Sequence, residues 1–293
     1  NIGSGRIVYQ QLPRLLFAIH QGAFFANGVL VEAMQRVTDR RATLHFAGLV
    51  SSGAVHSYVD ILYALLDLAK QRRVPRVVLH LWLDGRDSPI HEAATSLANL
   101  NERLRTLELG TIGTIMGRSF AMDRNENWEQ TRRAYACMVD GVGRKVTDTT
   151  AYLKANYALG LTDEFIEPAV VVNDDGQPLG NIREGDTVIL FNIRADRVRQ
   201  IAHAIADPAF DRFPRAAPHD LHVVTMTEYG SAVPASVAFP TEDITDTFAG
   251  HLSRLGLTQL HIAETEKYAH VTYFFNGRRE AAFPGEERLL VPS

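Results

Sequence analysis

Short apolar stretches typical of buried strands alternate, from residue 43 onward, with longer stretches whose apolar residues recur at helical spacing. The predicted strands are residues 43–50, 76–83, 111–116, 187–191, 221–226 and 259–263, and residues 169–180 are predicted to form a hairpin or an excursion at the sheet edge. The predicted helices are residues 9–20, 28–40, 58–72, 90–107, 128–139, 148–159, 192–206, 243–255 and 267–275. Such alternation favours a parallel sheet covered by helices on both faces. The sequence therefore predicts an α/β fold with a parallel-rich sheet flanked by helices.

Composition excludes several classes of function. The chain has 293 residues, enough for one large or two ordinary domains, and a net charge of −4. That charge offers no general attraction to nucleic acid or to an anionic membrane, so any anion site must be local. No apolar run approaches the length of a membrane span. The single cysteine, Cys137, lies in a predicted helix and is predicted to be a buried structural thiol in a reducing cytoplasm.

Glycines with charged or imidazole side chains follow nearly every predicted strand. The side chains concerned are His56, Arg86, Asp87, Arg118, Arg124, Arg194, Arg197 and Lys267. Because the carboxyl ends of parallel strands meet at one edge of a sheet, we expect these side chains to lie in one crevice. Clustered cations repel one another unless an anion neutralises them, and planar guanidinium groups suit carboxylate and phosphate. The sequence predicts one shared site for a small polyanion.

The segment 187–200, TVILFNIRADRVRQ, is the strongest example of this pattern. It predicts a buried strand, a turn at Asn192 and a helix with Arg194 and Arg197 in its first turn. Residues three apart share a helical face, beside backbone N–H groups that suit an anion. The alternative is an ordinary exposed turn in which Asp196 pairs locally with the arginines.

Asp87 is the best local candidate for proton transfer. Asp84 and Asp87 flank Arg86, whose positive charge favours the ionised form of both carboxylates. An ionised carboxylate can accept a proton from a substrate hydroxyl. His56 could act in the same way or donate to a carboxylate. The sequence shows no nucleophile elbow, no GxGxxG after a strand, no paired cysteines and no HExxH, so it predicts no metal site.

Nine motifs resemble, in order, the cofactor-independent (bisphosphoglycerate-independent) phosphoglycerate mutase family. They are NIGSGRIVYQ, GLVSSGAVHS, LDGRDSP, MGRSFAMDRN, TDEFIEP, FNIRADRVRQ, MTEY, VAFP and IAETEKYAHVTYFFNG. The resemblance spans the whole chain. It implies the interconversion of 3-phosphoglycerate and 2-phosphoglycerate in cytoplasmic glycolysis, an isomerase reaction that passes through a phosphoserine enzyme.

The resemblance also implies two α/β domains. One is a phosphatase domain, related to alkaline phosphatase, with two Mn²⁺ and a serine nucleophile; the other is an inserted transferase domain. We expect residues 1–9 to be a linker from the phosphatase domain, residues 10–243 to form the transferase domain, and residues 244–293 to be part of the phosphatase domain. The family's serine and metal ligands fall outside this sequence. The isolated chain is therefore expected to be an inactive, metal-free monomer whose partner is the missing phosphatase domain.

By motif, the resemblance assigns substrate binding to all eight of the side chains named above. It implies that the arginines hold the carboxylate and hydroxyls of glycerate, that Asp87 transfers a proton, and that Lys267 holds the phosphoryl group. The chain departs from the family pattern at neighbouring positions, Ser52, Ala54, Tyr58, Ile193 and Ala195, where the family commonly has Asp, Gly, His, Phe and Pro. The charged positions are intact.

Two alternatives remain open at this point. Another phosphomutase of the alkaline-phosphatase superfamily, such as a phosphopentomutase, is disfavoured by the strings TEKYAHVT and DGRD. A non-catalytic module that binds a phosphorylated metabolite would need the same basic crevice without turnover.

Overall fold

The computed structural model describes residues 1–241 and 244–293, which divide into two compact units. The larger unit is Gln11–Pro240, and the smaller combines Asn1–Gln10 with Thr241–Ser293. The expected domain boundary at residue 243, which was also the predicted start of a helix, lies outside the described residues.

A mixed sheet of eight strands forms the centre of the larger unit. The strands are β1 (Leu44–Val50), β2 (Val77–Leu83), β3 (Thr111–Gly117), β4 (Arg144–Val146), β5 (Ala169–Val171), β6 (Thr187–Leu190), β7 (His222–Thr225) and β8 (Ser236–Val237). Their order is β4-β5-β3-β2-β1-β6-β7-β8, and every neighbouring pair is parallel except β3 with β5. The prediction of a parallel-rich α/β fold is confirmed.

Helices cover both faces of this sheet. Those of the larger unit are α1 (Gln11–His20), α2 (Gly28–Arg40), α3 (Val59–Gln71), α4 (Ala93–Leu107), α5 (Arg118–Ala121), α6 (Trp128–Val139), α7 (Thr149–Ala158) and α8 (Arg199–Ala206), with 3₁₀ turns at Ala23–Ala26 and Asp163–Phe165. Successive residues of β1 and β2 point to opposite faces, so Phe46 and Leu79 pack in one core while Leu49 and Trp82 pack in the other. Both strands are therefore buried along their whole length.

The only cysteine lies in the second of these cores. Cys137 is fully buried in α6, and burial raises the pKa of its thiol to about 12. The prediction of a buried structural thiol is confirmed. Within the described part of the chain, no helix has the length and apolarity needed to cross a membrane.

The helix predicted to start directly after Asn192 is a wrong prediction, because α8 begins only at Arg199. Neighbouring loops hold this segment by its backbone and occupy the carbonyls of Asn192 and Ile193, which a helix would use. The Ile193 N–H donates to the carbonyl of His56 at 2.8 Å, and the Thr227 hydroxyl donates to the Ile193 carbonyl at 3.1 Å. The Tyr229 hydroxyl donates to the Asn192 carbonyl at 2.5 Å. Residues 192–198 consequently form a loop held by tertiary contacts.

The smaller unit contains a two-stranded parallel sheet of β9 (Gln259–Glu264) and β10 (Glu286–Val291), with helices α9 (Phe248–Arg254) and α10 (Thr265–Val271). Apolar side chains on these strands remain exposed: Leu260 is 57% exposed and Leu289 is 49% exposed. Two strands alone rarely make a stable sheet in water. This unit therefore has an exposed apolar surface on its strands.

A row of hydrogen-bonding side chains crosses the centre of the large sheet. His80 Nδ1 lies 2.9 Å from Thr114 Oγ1, His80 Nε2 lies 2.9 Å from His45 Nδ1, and His45 Nε2 lies 3.1 Å from Asp186 Oδ2. One proton arrangement satisfies every contact with both imidazoles neutral: Thr114 donates to His80, His80 to His45, and His45 to Asp186. Burial lowers the pKa of both histidines, although Asp186 partly offsets it at His45.

We expect these histidines to make the stability of the fold sensitive to acid. Below about pH 6.5 the unfolded chain protonates its histidines while the buried pair stays neutral, so the unfolded state binds more protons and the free energy of unfolding falls. Each such group contributes up to about 1.4 kcal/mol per pH unit. Urea denaturation at several pH values between about 7.5 and 5.5 measures the slope of the free energy of unfolding against pH. His80→Gln should reduce that slope, whereas exposed His20→Gln should not; equal slopes in the two variants would contradict the assignment.

Candidate functional site

The carboxyl ends of neighbouring strands β3, β2, β1 and β6 bring most of the predicted side chains into one region of the larger unit. His56 follows β1, Arg86 and Asp87 follow β2, Arg118 and Arg124 follow β3, and Arg194 and Arg197 follow β6. Direct contacts and charge interactions connect all seven side chains. The spatial convergence predicted from strand order is present in the larger unit.

Arg118 forms the buried base of this region. Its side chain is 2% exposed, and Nη1 lies 2.6 Å from Asp84 Oδ1 and 2.5 Å from Asp87 Oδ2. Burial would raise the pKa of Asp84, but hydrogen bonds from Ser51, from the Asp87 backbone and from Arg118 lower it overall. This ion cluster joins the loops after β2 and β3 and holds Asp87 in one position.

His56 lies between two carboxylates yet is neutral. Its Nε2 is 3.8 Å from Asp87 Oδ2, and its Nδ1 is 3.4 Å from Asp196 Oδ1. Burial, and then the charge of Arg118, lower the pKa of His56 to about 4 against the opposing effect of both carboxylates. At neutral pH the ring therefore has one N–H and one lone pair. Among the described residues, Nδ1 and Asp196 Oδ1 are buried atoms without a hydrogen-bond partner.

Asp196 links the loop after β6 to the loop after β3. Its Oδ1 lies 3.1 Å from Arg194 Nε, and its Oδ2 lies 3.1 Å from Arg124 Nη1. The local pairing considered as an alternative is therefore real, but the same carboxylate also positions a distant arginine. Asp196 approaches Arg194 at Nε, and the Arg194 side chain is 57% exposed, so its guanidinium remains accessible to a ligand.

Arg86 is positioned by a residue that the sequence reasoning did not single out. Its Nη1 lies 3.2 Å from Glu164 Oε1, in the 3₁₀ turn after α7. Two glycines allow this turn to approach the strand ends. At Gly117 any side chain would collide with the turn, because a Cβ there would lie 2.2 Å from the Glu164 carbonyl oxygen. Gly85 has φ +65°, a backbone conformation that favours glycine. Glu164 belongs to the TDEFIEP motif, so the resemblance to the family could have pointed to this residue.

Arg197 carries a positive charge that the protein does not neutralise well. No carboxylate lies within salt-bridge distance of it among the described residues. Burial lowers its pKa, and the charges of Arg124, Arg118 and Arg86 lower it further, while Asp196 opposes them. A half-buried cation beside three other cations is best stabilised by a bound anion. A cleft of about 480 Å³ borders Arg124 and Asp196 on the side of Tyr229, but Arg197 does not line it.

Lys267 belongs to the smaller unit. It is an exposed residue of α10, and its expected contact with a phosphoryl group stays a prediction.

The arrangement does not fit the two Mn²⁺ ions expected of the family. The described residues contain no group of three His, Cys, Asp or Glu side chains that could hold a metal ion. The carboxylates at the site, those of Asp84, Asp87 and Asp196, are already in contact with arginines. Guanidinium groups repel a divalent cation, so this crevice suits anions.

Comparison with known proteins identifies the family of this chain. Residues 16–231 match the family model described as BPG-independent PGAM N-terminus. The chain is 49% identical over 294 residues to the 2,3-bisphosphoglycerate-independent phosphoglycerate mutase of Moorella thermoacetica, covering 100% of this chain and 57% of that protein. It is 42% identical over 294 residues to the 2,3-bisphosphoglycerate-independent phosphoglycerate mutase 2 of Methanosarcina acetivorans, covering 100% of this chain and 56% of that protein.

A solved structure, that of Leishmania mexicana phosphoglycerate mutase at low cobalt concentration, superposes with a TM-score of 0.78. It shares 28% identity, and the match covers 99% of this chain and 55% of that one. The chain thus spans just over half the length of the relatives it matches. With most of the larger unit matching the family model, the chain belongs to the BPG-independent phosphoglycerate mutase family, in the part described as its N-terminus.

Proposed function

We propose that this chain binds and reorients the glycerate acid during the interconversion of 3-phosphoglycerate and 2-phosphoglycerate through a phosphoserine enzyme. The observation that carries the proposal is the positive charge of Arg197, which lies beside Arg86, Arg118 and Arg124 and is offset only in part by Asp196. The named activity of the relatives supports the same substrate class. Phosphoglycerate is a small acid with a carboxylate, a hydroxyl and a phosphate, groups that suit arginines and a hydrogen-bonding carboxylate or imidazole.

The anionic groups of the substrate would bind the exposed guanidiniums. Arg194 is 57% exposed and approached by Asp196 at Nε, so its guanidinium could take a carboxylate or phosphate in bidentate geometry. Arg197 supplies positive charge that Asp196 offsets only in part, and no carboxylate among the described residues lies within salt-bridge distance of it. Arg118 is too deeply buried for the same role and instead positions Asp87. Lys267 would add a contact to the phosphoryl group.

Asp87 and His56 would handle the hydroxyl of the acid. When the glycerate hydroxyl attacks the phosphorus of the phosphoserine, a new P–O bond forms and the serine P–O bond breaks. The hydroxyl proton passes to Asp87, whose Oδ2 is held by Arg118 at 2.5 Å. His56, being neutral, can donate one hydrogen bond and accept another without adding charge.

The partner implied by this function is the phosphatase domain of the family. It would supply the serine and the two Mn²⁺, and the apolar strands of the smaller unit would be buried against it. We further expect a monomer in the cytoplasm that binds neither nucleic acid nor membrane.

Removal of one guanidinium should weaken substrate binding. We expect Arg194→Ala to weaken 3-phosphoglycerate binding, measured by calorimetry, by about 1.5–3 kcal/mol, as for a hydrogen bond to a charged group. The matched control is Arg132→Ala, which removes an exposed arginine paired with Glu129 on α6. An unchanged affinity in the Arg194 variant would remove that residue from the site.

The isolated chain should not turn over. We expect no mutase activity with 3-phosphoglycerate and Mn²⁺ in a coupled assay, because the described residues contain neither a metal-binding group nor an assigned serine nucleophile. Robust turnover would show that the chemistry has been placed in the wrong residues.

Ligand competition separates the proposed function from its alternatives. Calorimetry should show tighter binding of 3-phosphoglycerate than of inorganic phosphate, nucleotides or ribose 5-phosphate, since only the glycerate acid has both a carboxylate and a phosphate. Equal affinities would indicate a general anion-binding module, and preference for the sugar phosphate would indicate a phosphopentomutase.

A further inference from the structure

A second basic cavity lies at the opposite edge of the large sheet. Thr43, Arg76 and Asp186 directly precede β1, β2 and β6, whose first residues are paired in register, and all three line a cavity of about 350 Å³. The candidate site lies at the carboxyl ends of the same strands. Since a strand rises about 3.3 Å per residue, the seven-residue central strands place the two regions roughly 20 Å apart.

Four arginines line this cavity: Arg40 and Arg41 at the end of α2, Arg76 before β2, and Arg183 before β6. Arg40 pairs with Asp220, and Arg76 donates to the carbonyl of Leu179 at 2.7 Å. Within residues 1–241 and 244–293, the guanidiniums of Arg41 and Arg183 have neither a salt bridge nor a side-chain hydrogen bond. Two unpaired guanidiniums thus face a concave surface in a protein whose net charge is −4.

The acidic side chains of the cavity wall do not neutralise these arginines. Asp186 is buried, and its carboxylate accepts hydrogen bonds from the backbone N–H groups of Thr43 at 2.8 Å and Arg183 at 2.9 Å, as well as contacting His45. Glu184 forms no salt bridge with the cavity arginines in the part of the chain that the structure describes. The cavity therefore retains an excess of positive charge.

The cavity wall also connects to the buried histidine row. Asp186 contacts His45, which contacts His80. Burial, chiefly, lowers the pKa of His45, and the charge of Arg76 lowers it further while Asp186 opposes both. An anion beside Arg76 would offset that charge, so the ring of His45 can report on the occupancy of the cavity.

We propose that this cavity binds a phosphate group, either inorganic phosphate or a phosphate monoester, between the guanidiniums of Arg41, Arg76 and Arg183. Guanidinium groups present paired N–H donors that match the oxygens of phosphate. The site is separate from the glycerate crevice and does not depend on the function proposed for it.

The test follows the backbone amide of Gly185 and the ring of His45 by ¹H–¹⁵N NMR while inorganic phosphate is titrated into the full chain at constant ionic strength. Saturable shifts are expected at both positions. Arg41→Gln combined with Arg183→Gln should weaken this binding by about tenfold or more. Arg194→Ala, in the other crevice, should leave these shifts unchanged, which separates failure of this proposal from failure of the proposed function.

A matched control removes two positive charges elsewhere. Arg144→Gln combined with Lys154→Gln alters exposed side chains that do not line the cavity and should leave the affinity unchanged. If the double arginine variant is poorly folded, Arg183→Gln alone should still weaken binding. Shifts that never saturate, or equal affinity in the cavity variants and the control, would overturn the proposal.

A second titration identifies the source of the phosphate. Glycerol 2-phosphate is compared with inorganic phosphate in the unaltered chain. Tighter binding of the ester supports a phosphorylated metabolite as the ligand, and equal or tighter binding of inorganic phosphate supports the free ion. Absence of saturable binding by both would overturn the proposal.

Discussion

The buried ion cluster of Arg118 with Asp84 and Asp87 is the interaction on which the candidate site depends. A guanidinium that is 2% exposed is unfavourable unless carboxylates and hydrogen bonds replace its water, and here two aspartates do so. Ser51 adds a hydrogen bond to Asp84 from the end of β1. Three adjacent strand ends are therefore tied together beneath the crevice, and Asp87 cannot move without breaking the cluster.

Above this cluster the charges are arranged differently. Asp196 neutralises part of Arg124 and Arg194, while Arg197 is left without a carboxylate partner among the described residues. His56 remains neutral because burial and Arg118 outweigh the nearby carboxylates. The deep part of the site is thus internally compensated and rigid, whereas its accessible part keeps positive charge and unfilled hydrogen-bonding capacity for a ligand.

Most elements could be predicted from periodicity. The helices 28–40 and 128–139 end where the apolar spacing ends. The predicted bounds of the central strands differ from the observed bounds by no more than one residue at either end, because burial on both faces demands an unbroken apolar run. Strands β4 and β8 were missed because two or three half-exposed residues carry no period. Strand β10 was missed because its apolar residues are exposed and its first three residues are charged.

The gathering of basic side chains at one sheet edge was determined by the sequence, since parallel strands must end together and each is followed by its charged loop. The family motifs identified the same residues. Only the tertiary structure decided how the loop 192–198 runs, because Thr227 and Tyr229 take carbonyls that a helix would need and His56 holds the Ile193 N–H. It also decided the contacts of Asp196 with Arg124 and of Glu164 with Arg86, which join residues more than seventy positions apart along the chain. Pairing across such distances depends on loop geometry, which local sequence patterns do not encode.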